Sequence, residues 1–301
     1  MVQSAAPLPQ PLASATHRST PSWPYRLARL ALRKPLGAFG GCIILALLVM
    51  ALCAESIAPF HYNATHARHR LQPPSTTYIL GTDNLGRDIF SRIVYGARIS
   101  MIVSLSAVCL GITLATVVGT VSGYIGGAFD ILVQRVVDAW MAFPWLVVLL
   151  SIMAVVGPGI VNLTLALGIL VAAGTSRVIR SATLSVKEHT YIEAARAVGA
   201  THGRILLRYI LPNIMAPIIV TATVTMGFII LAESALSFLG FGVPPPYPSW
   251  GLMLNGSGRV YMLKAPWMAL WAGVAVSLAV FGFNMLGDAL RDVLDPRLRG
   301  S

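Results

Sequence analysis

Six long apolar segments restrict what this sequence can fold into. A membrane-spanning α-helix needs about 20 apolar residues, because each residue rises about 1.5 Å and the hydrocarbon core is about 30 Å thick. The composition agrees, since 56% of the 301 residues are hydrophobic and 11% are charged, against about 25% charged residues in soluble domains. The segments are residues 36–57, 99–121, 139–156, 159–176, 214–239 and 265–287. The sequence therefore predicts an all-α polytopic membrane protein with six transmembrane helices.

The first 35 residues differ from the rest of the chain. They are rich in Pro, Ser and Ala and contain no apolar run, a composition typical of disorder. A basic collar precedes the first span and consists of Arg26, Arg29, Arg33 and Lys34. A cleaved signal peptide is not expected, because the apolar run begins too late and is too long. We predict a disordered cytoplasmic tail over residues 1–35 and a transmembrane domain over residues 36–301.

Lys and Arg are distributed unequally between the two sides of the predicted spans. With the N-terminus in the cytoplasm, the inside segments hold 15 of the 22 Lys and Arg residues and the outside segments hold seven. Cytoplasmic segments of membrane proteins carry an excess of these residues. The distribution favours cytoplasmic N- and C-termini, with loops 59–98 and 240–264 outside and loop 177–213 inside.

Charge and cysteine usage argue against several other classes. The net charge of +11 is divided among short segments that flank apolar runs, so nucleic-acid binding is not predicted. A P-loop needs a lysine that follows a glycine, and no lysine here does so. The lysines are Lys34, Lys187 and Lys264. Cys42, Cys53 and Cys109 lie inside apolar runs without metal-ligand spacing, and we predict small core or lipid-facing residues.

A short charged stretch, TYIEAARAVGA over residues 190–200, interrupts the apolar pattern. Thr190 and Glu193 have the spacing of a capping box at a helix start, and Gly199 stands where a left-handed C-cap would fall. A helix of about two turns is marginal alone in water, so something must hold it. A second helix is predicted from Thr201 to about Pro212. The alternative interpretation is an interfacial connector that lies on lipid headgroups.

The string EAARAVGATHGRILLRYILPN resembles the EAA loop of permease subunits from bacterial binding-protein-dependent ABC importers. The family pattern is Glu-Ala-Ala, three residues, Gly, nine residues, an aliphatic residue, any residue, then Leu-Pro. The positions that agree are Glu193, Ala194, Ala195, Gly199, Leu211 and Pro212. Tyr209 departs from the pattern at the aliphatic position. The loop also lies between the fourth and fifth predicted spans, as the family requires.

The resemblance implies a type I ABC importer permease fold and a mechanical role for this loop. In such importers the segment is the coupling helix, which docks on a cytoplasmic ATPase subunit and moves with it. The implied partners are a homologous permease subunit, two cytoplasmic ATP-binding subunits, an extracytoplasmic solute-binding protein and the bilayer of the bacterial plasma (inner) membrane. The chain itself is then not an enzyme and holds no cofactor, because ATP and Mg²⁺ bind to the ATPase subunits. The coupling loop is expected over residues 177–213, and a cytoplasmic C-terminal end over residues 288–301.

Three further stretches narrow the resemblance to the second permease subunit of dipeptide and oligopeptide importers. They are LGTDNLGRDIFSRIVYGARIS (residues 80–100), ALSFLGFGVPPPYPSWGLML (residues 235–254) and NMLGDALRDVLDPRLR (residues 284–299). The resemblance implies transport of dipeptides or oligopeptides. Members of the same branch also carry glutathione or nickel complexes, and the permease sequence leaves that choice open.

The outer stretches also allow predictions from their residues alone. The apolar spacing over residues 80–100 predicts an amphipathic helix that starts near Thr82 or Asp83 and lies at the membrane interface. Direct contact of this helix with the substrate is the alternative. We expect Asp83 or Asp88 to pair with Arg87 or Arg92.

For the Pro-rich loop that ends at Trp250, we predict a rigid outer lid. Tyr247 and Trp250 are expected to be interface anchors or contacts for a docked binding protein.

Glu233 is the ionisable residue within a predicted span that we single out, because charge in hydrocarbon is costly. It either lines the substrate path, where it attracts a peptide amino terminus, or makes a structural salt bridge or hydrogen bond.

An intramembrane enzyme and a channel are the alternatives to the permease. An intramembrane enzyme should show convergent catalytic groups within its spans, and no predicted span holds two carboxylates. A channel should conduct without ATP. His61, His66 and His69 share one outer loop, for which a solvated loop is favoured over a weak metal site.

Overall fold

The computed structural model describes residues 34–255 and 257–294, which are mostly helical. An isolated bridge between Thr82 and Asp88 is the only β pairing among these residues. The helices are α1 (Pro35–Leu52), α2 (Ala54–Ile57), α3 (Ile89–Ile125), α4 (Gly127–Met141), α5 (Trp145–Val156), α6 (Ile160–Lys187), α7 (Thr190–Ala197), α8 (His202–Arg204), α9 (Leu211–Asn213), α10 (Met215–Phe238), α11 (Trp250–Leu254), α12 (Ser257–Val260) and α13 (Trp267–Leu294). Most of the predicted tail, with Arg26, Arg29 and Arg33, lies outside the described residues, as do residues 295–301.

The number of membrane spans agrees with the sequence. Within the described residues, α1, α3, α6, α10 and α13 are each long and apolar enough to cross a membrane. Helices α4 and α5 meet this condition together, although the pair is bent by 84°. Counted as one broken span, the pair brings the total to six. The prediction of an all-α protein with six spans is confirmed.

The bend between α4 and α5 corrects the third predicted span, residues 139–156. A helix is interrupted at Pro144, which has no backbone N–H to donate. Its carbonyl group instead accepts from the N–H of Val147 at 3.0 Å and so begins α5. The predicted span left out most of α4, because this helix carries Asp130 and Asp138 among its apolar residues and so does not form a continuous apolar run.

The start of α3 corrects the predicted interfacial helix over residues 80–100. Residues 80–88 form a turn, and α3 then runs for 37 residues without a break into the second span. Asp88 begins the helix, because its carboxylate accepts from the N–H of Ser91 at 2.8 Å. Ile93 and Ala97 belong to the buried core. The apolar stripe therefore faces protein rather than the membrane surface.

Small residues allow the long helices to approach closely. A Cβ atom on Gly111 would lie 2.8 Å from the carbonyl oxygen of Gly168, and one on Gly119 would lie 2.4 Å from that of Ser176. Such contacts are typical of helix packing in membranes, where van der Waals contact drives association. They hold α3 tightly against α6.

The segments that precede α3 and α13 are joined to the helices by two tryptophans. The Nε1 group of Trp250 donates to the carbonyl oxygen of Ile93 at 3.1 Å, and that of Trp267 donates to the carbonyl oxygen of Thr82 at 3.2 Å. Trp250 is completely buried. The prediction of an interface anchor or partner contact is therefore wrong for Trp250, whereas Tyr247 remains 44% exposed.

Candidate functional site

The charged stretch folds as α7, an eight-residue helix between α6 and α8. Ile192 is fully buried and Ala195 is 5% exposed. Ile192 packs in a cluster with residues from α3, α6 and the chain that leads into α10. The other buried members of the cluster are Ala115, Tyr124, Ile179, Ile205, Ile210, Ile214 and Ile218. This apolar contact holds a helix that would be marginal alone.

The C-terminal end of α7 is a Schellman motif. Gly199 has φ +80°, in the left-handed region. The N–H of Ala200 donates to the carbonyl group of Ala195 at 3.0 Å, and the N–H of Gly199 donates to that of Arg196 at 2.9 Å. These two bonds define the motif and confirm the cap predicted at Gly199.

The N-terminal end of α7 corrects the predicted capping box. The N-cap residue is His189, whose side chain makes no capping bond, and Thr190 is already helical. Because α6 continues to Lys187, only two residues connect the helices, and the turn places His189 at the cap. Glu193 makes no capping box and its side chain is exposed.

After the turn over residues 198–201, the chain is helical up to α10 except for one turn residue, Ile214. The hydroxyl group of Thr201 accepts from the N–H of Arg204 at 3.4 Å and caps α8. Helix continues through a π-helical stretch, Ile205–Ile210, into α9. Proline removes an α-helical hydrogen bond and crowds the preceding turn, and the wider π-helical turns precede Pro212. The predicted helix from Thr201 to Pro212 is confirmed.

We call residues 188–213 the EAA segment. Its attachment to the rest of the protein centres on Tyr124 at the end of α3. The Tyr124 hydroxyl group lies 2.8 Å from Nδ1 of His202. The guanidinium group of Arg196 lies 5.7 Å from the centroid of the Tyr124 ring, within range of a cation–π interaction. Lys187 Nζ donates to the carbonyl oxygen of Gly123 at 3.4 Å.

The outward surface of α7 and its C-cap carries both apolar and charged side chains. Val198 is 84% exposed and Tyr191 is 38% exposed. The exposed residues of this surface are Tyr191, Glu193, Ala194, Arg196, Ala197, Val198 and Gly199. Tyr191 and Val198 are not among the site residues predicted from the sequence. The available signal was that both lie off the buried stripe set by Ile192 and Ala195.

The six residues of the EAA pattern divide by environment. Glu193, Ala194, Gly199 and Pro212 are exposed, whereas Ala195 is buried and Leu211 is half-buried. Exposed members can touch a partner, and Ala195 packs inside the chain.

Two ion pairs join α4 to α6 near this end of the molecule. Nε of Arg180 donates to Oδ1 of Asp130 at 2.6 Å, and a second bond makes the pair bidentate. Arg177 pairs with Asp138, which also lies 3.8 Å from Arg135. The main partners of Asp130 and Asp138 therefore come from α6.

Glu233 lies in α10 with no exposed surface in the described structure. Its carboxylate accepts from the hydroxyl groups of Ser237 at 2.8 Å and Ser100 at 3.2 Å, and Ser234 lies at 3.4 Å. Ser100 belongs to α3, so the carboxylate joins two spans.

His61, His66 and His69 do not form a metal cluster in the part of the chain that the structure describes. Nδ1 of His69 lies 2.8 Å from the hydroxyl group of Tyr78. The rings of His66 and His69 are 6.3 Å apart.

Comparison with protein families gives two matches. The family described as binding-protein-dependent transport system inner membrane component matches residues 107–300. The N-terminal TM domain of oligopeptide transport permease C matches residues 25–74.

Individual relatives cover most of the chain. It is 42% identical to the dipeptide transport system permease protein DppC of Alkalihalophilus pseudofirmus over 277 residues, which are 92% of this chain and 91% of that protein. It is 39% identical to the glutathione transport system permease protein GsiD of Pectobacterium atrosepticum over 272 residues, which are 90% of each chain. A solved structure of the MetNI methionine ABC transporter in inward-facing conformations matches with a TM-score of 0.57 and 17% identity, covering 68% of this chain and 96% of that chain. This last likeness shows the fold alone.

The apolar spans show a multi-pass membrane protein, the solved structure shows a type I fold, and the family model with the relatives shows a permease of the ABC importer class. The chain belongs to the family of binding-protein-dependent transport system inner membrane components. The resemblance predicted from the EAA pattern is confirmed.

Proposed function

We propose that this chain and a homologous permease subunit form the translocation path of an ATP-driven importer, and that an ATPase subunit docks on the EAA segment. The observation that carries the proposal is α7 itself. One side of this short helix is anchored by Ile192 and its end is fixed by Gly199. The outward surface of α7 and its C-cap, which we call the docking face, exposes the apolar side chains of Tyr191 and Val198.

The attachments of the EAA segment support a mechanical role. Two residues connect α7 to α6, Tyr124 connects the segment to α3 through His202, and the chain from His202 to α10 is helical except at Ile214. A displacement applied at α7 therefore acts on three spans together. Rigid-body movement of packed helices is an established form of conformational coupling. ATP and Mg²⁺ would bind in the two ATPase subunits, and this chain needs no cofactor of its own.

The proposed substrate is a dipeptide or an oligopeptide. The name of the DppC relative, a dipeptide permease, supports this choice, since the similarity covers 92% of this chain. Glutathione is the second candidate, because the GsiD relative is named as a glutathione permease. An extracytoplasmic binding protein would deliver either compound and make most of the selection.

The proposed orientation places both termini and the EAA segment in the cytoplasm. The excess of Lys and Arg in the inside segments supports it, with 15 of 22 on that side. The segments 59–98 and 240–264, which include the start of α3 and all of α11 and α12, then face the binding protein.

Two substitutions test the docking role. Glu193→Lys reverses a charge on the docking face, and Gly199→Val places a branched residue at φ +80°, which costs roughly 1–2 kcal/mol. We expect both chains to insert and assemble, and the complexes to lose substrate-stimulated ATPase activity. The control is Gly203→Ala, since a Cβ atom there meets nothing within 4 Å. Normal coupling in both variants would refute the docking role.

A further inference from the structure

A small cavity lies at the start of α3, next to the Pro-rich loop. Its volume is about 190 Å³, and its lining includes the side chains of Asp83, Arg87 and Arg92. All three are largely buried, with 6%, 15% and 6% of the side chains exposed, respectively. Charges that are shielded from water attract an opposite charge more strongly than charges at an open surface.

The bonds of Asp83 show which positive charge it neutralises. Its Oδ1 atom accepts from the N–H groups of Leu85 and Arg87 at 2.8 and 2.9 Å, and its Oδ2 atom accepts from Arg87 Nε at 2.6 Å. Arg92 is farther away, with Nε 3.9 Å from Oδ2, and one of its terminal nitrogens donates to the carbonyl oxygen of Tyr62 at 3.2 Å. The carboxylate of Asp83 is thus paired mainly with the Arg87 side chain and with backbone N–H groups of its own turn.

The wall of the cavity therefore holds two cations and one carboxylate. Asp88 is close in sequence but is not part of the wall. Its Oδ2 atom accepts from the N–H and hydroxyl groups of Ser91 at 2.8 and 2.7 Å, where it caps α3. The cavity has an excess positive charge, and an anion is the ligand that would balance it.

The remaining wall is mainly apolar and indicates what the anion is attached to. Leu252, Met253 and Met268 contribute to it. Methionine side chains adapt to apolar groups of different shapes. At about 190 Å³, the cavity is smaller than the roughly 300–1,000 Å³ of sites that enclose a drug-sized ligand. It therefore fits one end of a short peptide.

We propose that this cavity binds the C-terminal carboxylate of a short peptide, with the carboxylate on Arg92 and Arg87 and the last side chain against Met253 and Met268. The proposal rests on the proposed function for the substrate class and for the outer location of the cavity. An acidic side chain of the binding protein would need the two arginines but not the methionine wall, so the peptide terminus is the better fit.

The test uses the purified full-length chain in lipid nanodiscs without a binding protein. The probes are the dipeptide Leu-Leu and its C-terminal amide, compared by equilibrium dialysis. We expect Leu-Leu to bind saturably. We expect the amide to bind at least about tenfold more weakly, because it lacks the charge that a guanidinium group recognises. This comparison requires no substitution and is independent of folding defects.

Substitutions then assign the site. We expect Arg92→Gln and Arg87→Gln each to weaken Leu-Leu binding by about tenfold. The matched control is Arg98→Gln, because Arg98 pairs with Glu55 at 3.0 Å outside this cavity, and its binding should stay unchanged.

Equal binding of the acid and the amide, or no saturable binding of Leu-Leu, would overturn the proposal. If the chain does not bind Leu-Leu but Arg92→Gln abolishes stimulation by the binding protein, the occupant is a carboxylate of that protein and the proposal is wrong. The proposed function is tested separately, by ATP-dependent peptide uptake in the assembled complex. If the complex takes up no peptide, the proposed function fails, but the binding measured on the isolated chain still decides whether the cavity binds a carboxylate.

Discussion

The hydroxyl group of Tyr124 lies 2.8 Å from Nδ1 of His202, and this hydrogen bond joins the end of α3 to the start of α8. Arg196 of α7 lies over the same ring. Tyr124 is only 6% exposed. One buried side chain therefore links α3 to both helical parts of the EAA segment, and we expect these elements to move together.

The variant Tyr124→Phe keeps the ring and removes the hydroxyl group. The lost hydrogen bond is worth about 1 kcal/mol, so we expect substrate-stimulated ATPase activity of the assembled complex to fall several-fold while membrane insertion is unchanged. Tyr247→Phe is the control, since Tyr247 is exposed in the Pro-rich loop. Full stimulation in Tyr124→Phe would show that this bond does not carry coupling.

The variant Asp130→Asn tests the connection between α4 and α6. It weakens a bidentate pair with Arg180 whose side chains are 9% and 29% exposed, and we expect a loss of about 1–2 kcal/mol, reduced by this partial exposure. The measurement is the thermal midpoint of the purified chain in detergent. Asp292→Asn is the control, because the Lys34–Asp292 pair is 47% and 40% exposed. Equal thermal midpoints for the two variants would show that the Asp130–Arg180 pair does not stabilise the contact between α4 and α6.

Variants of Glu233 distinguish a structural role from a place in the substrate path. The carboxylate accepts hydrogen bonds from Ser100 and Ser237, and a glutamine can retain much of this network. We expect Glu233→Gln to transport nearly normally and Glu233→Leu to be destabilised by about 1–3 kcal/mol, because it leaves buried hydroxyl groups unpaired. The assays are peptide uptake and thermal midpoint. Loss of uptake in a stably folded Glu233→Gln chain would instead support a role in attracting substrate.

The variant Gly119→Ala tests the close packing of α3 on α6. An added Cβ atom would lie 2.4 Å from the carbonyl oxygen of Ser176, so the helices must separate, and we expect a loss of about 1–3 kcal/mol. Gly273→Ala is the matched control, because its Cβ atom meets nothing within 4 Å. The readout is the thermal midpoint of both chains, and a similar value for the two would argue against tight packing at Gly119.

The sequence was sufficient for the number of spans and for the main features of α7, since both depend on local properties. Apolar length decides a span, and glycine is the residue that most readily adopts the left-handed conformation at the end of a helix. Gly199 and Thr201 were predicted correctly for this reason. The start of α7 was not, because the length of α6 decides that His189 rather than Thr190 is the cap.

Tertiary contacts account for the other differences. Residues 89–100 have the pattern of an interfacial helix, but the pattern does not reveal whether the apolar stripe faces lipid or protein. Trp250 looks like a membrane anchor in sequence, yet its Nε1 group bonds to Ile93, which is 157 residues away along the chain. Likewise, the partner of Asp130 is Arg180, 50 residues distant. Such pairings require the fold.

The most direct test of the central claim is cross-linking at position 198 in the assembled transporter. Val198→Cys is made in a chain whose Cys42, Cys53 and Cys109 are replaced by serine, and Val260→Cys, at an exposed site in α12, is the control. We expect residue 198 to cross-link to an ATPase subunit and to resist a membrane-impermeant thiol reagent added outside, whereas residue 260 reacts with that reagent and forms no such cross-link. Labelling of residue 198 from outside, or its failure to cross-link to any ATPase subunit, would contradict the account.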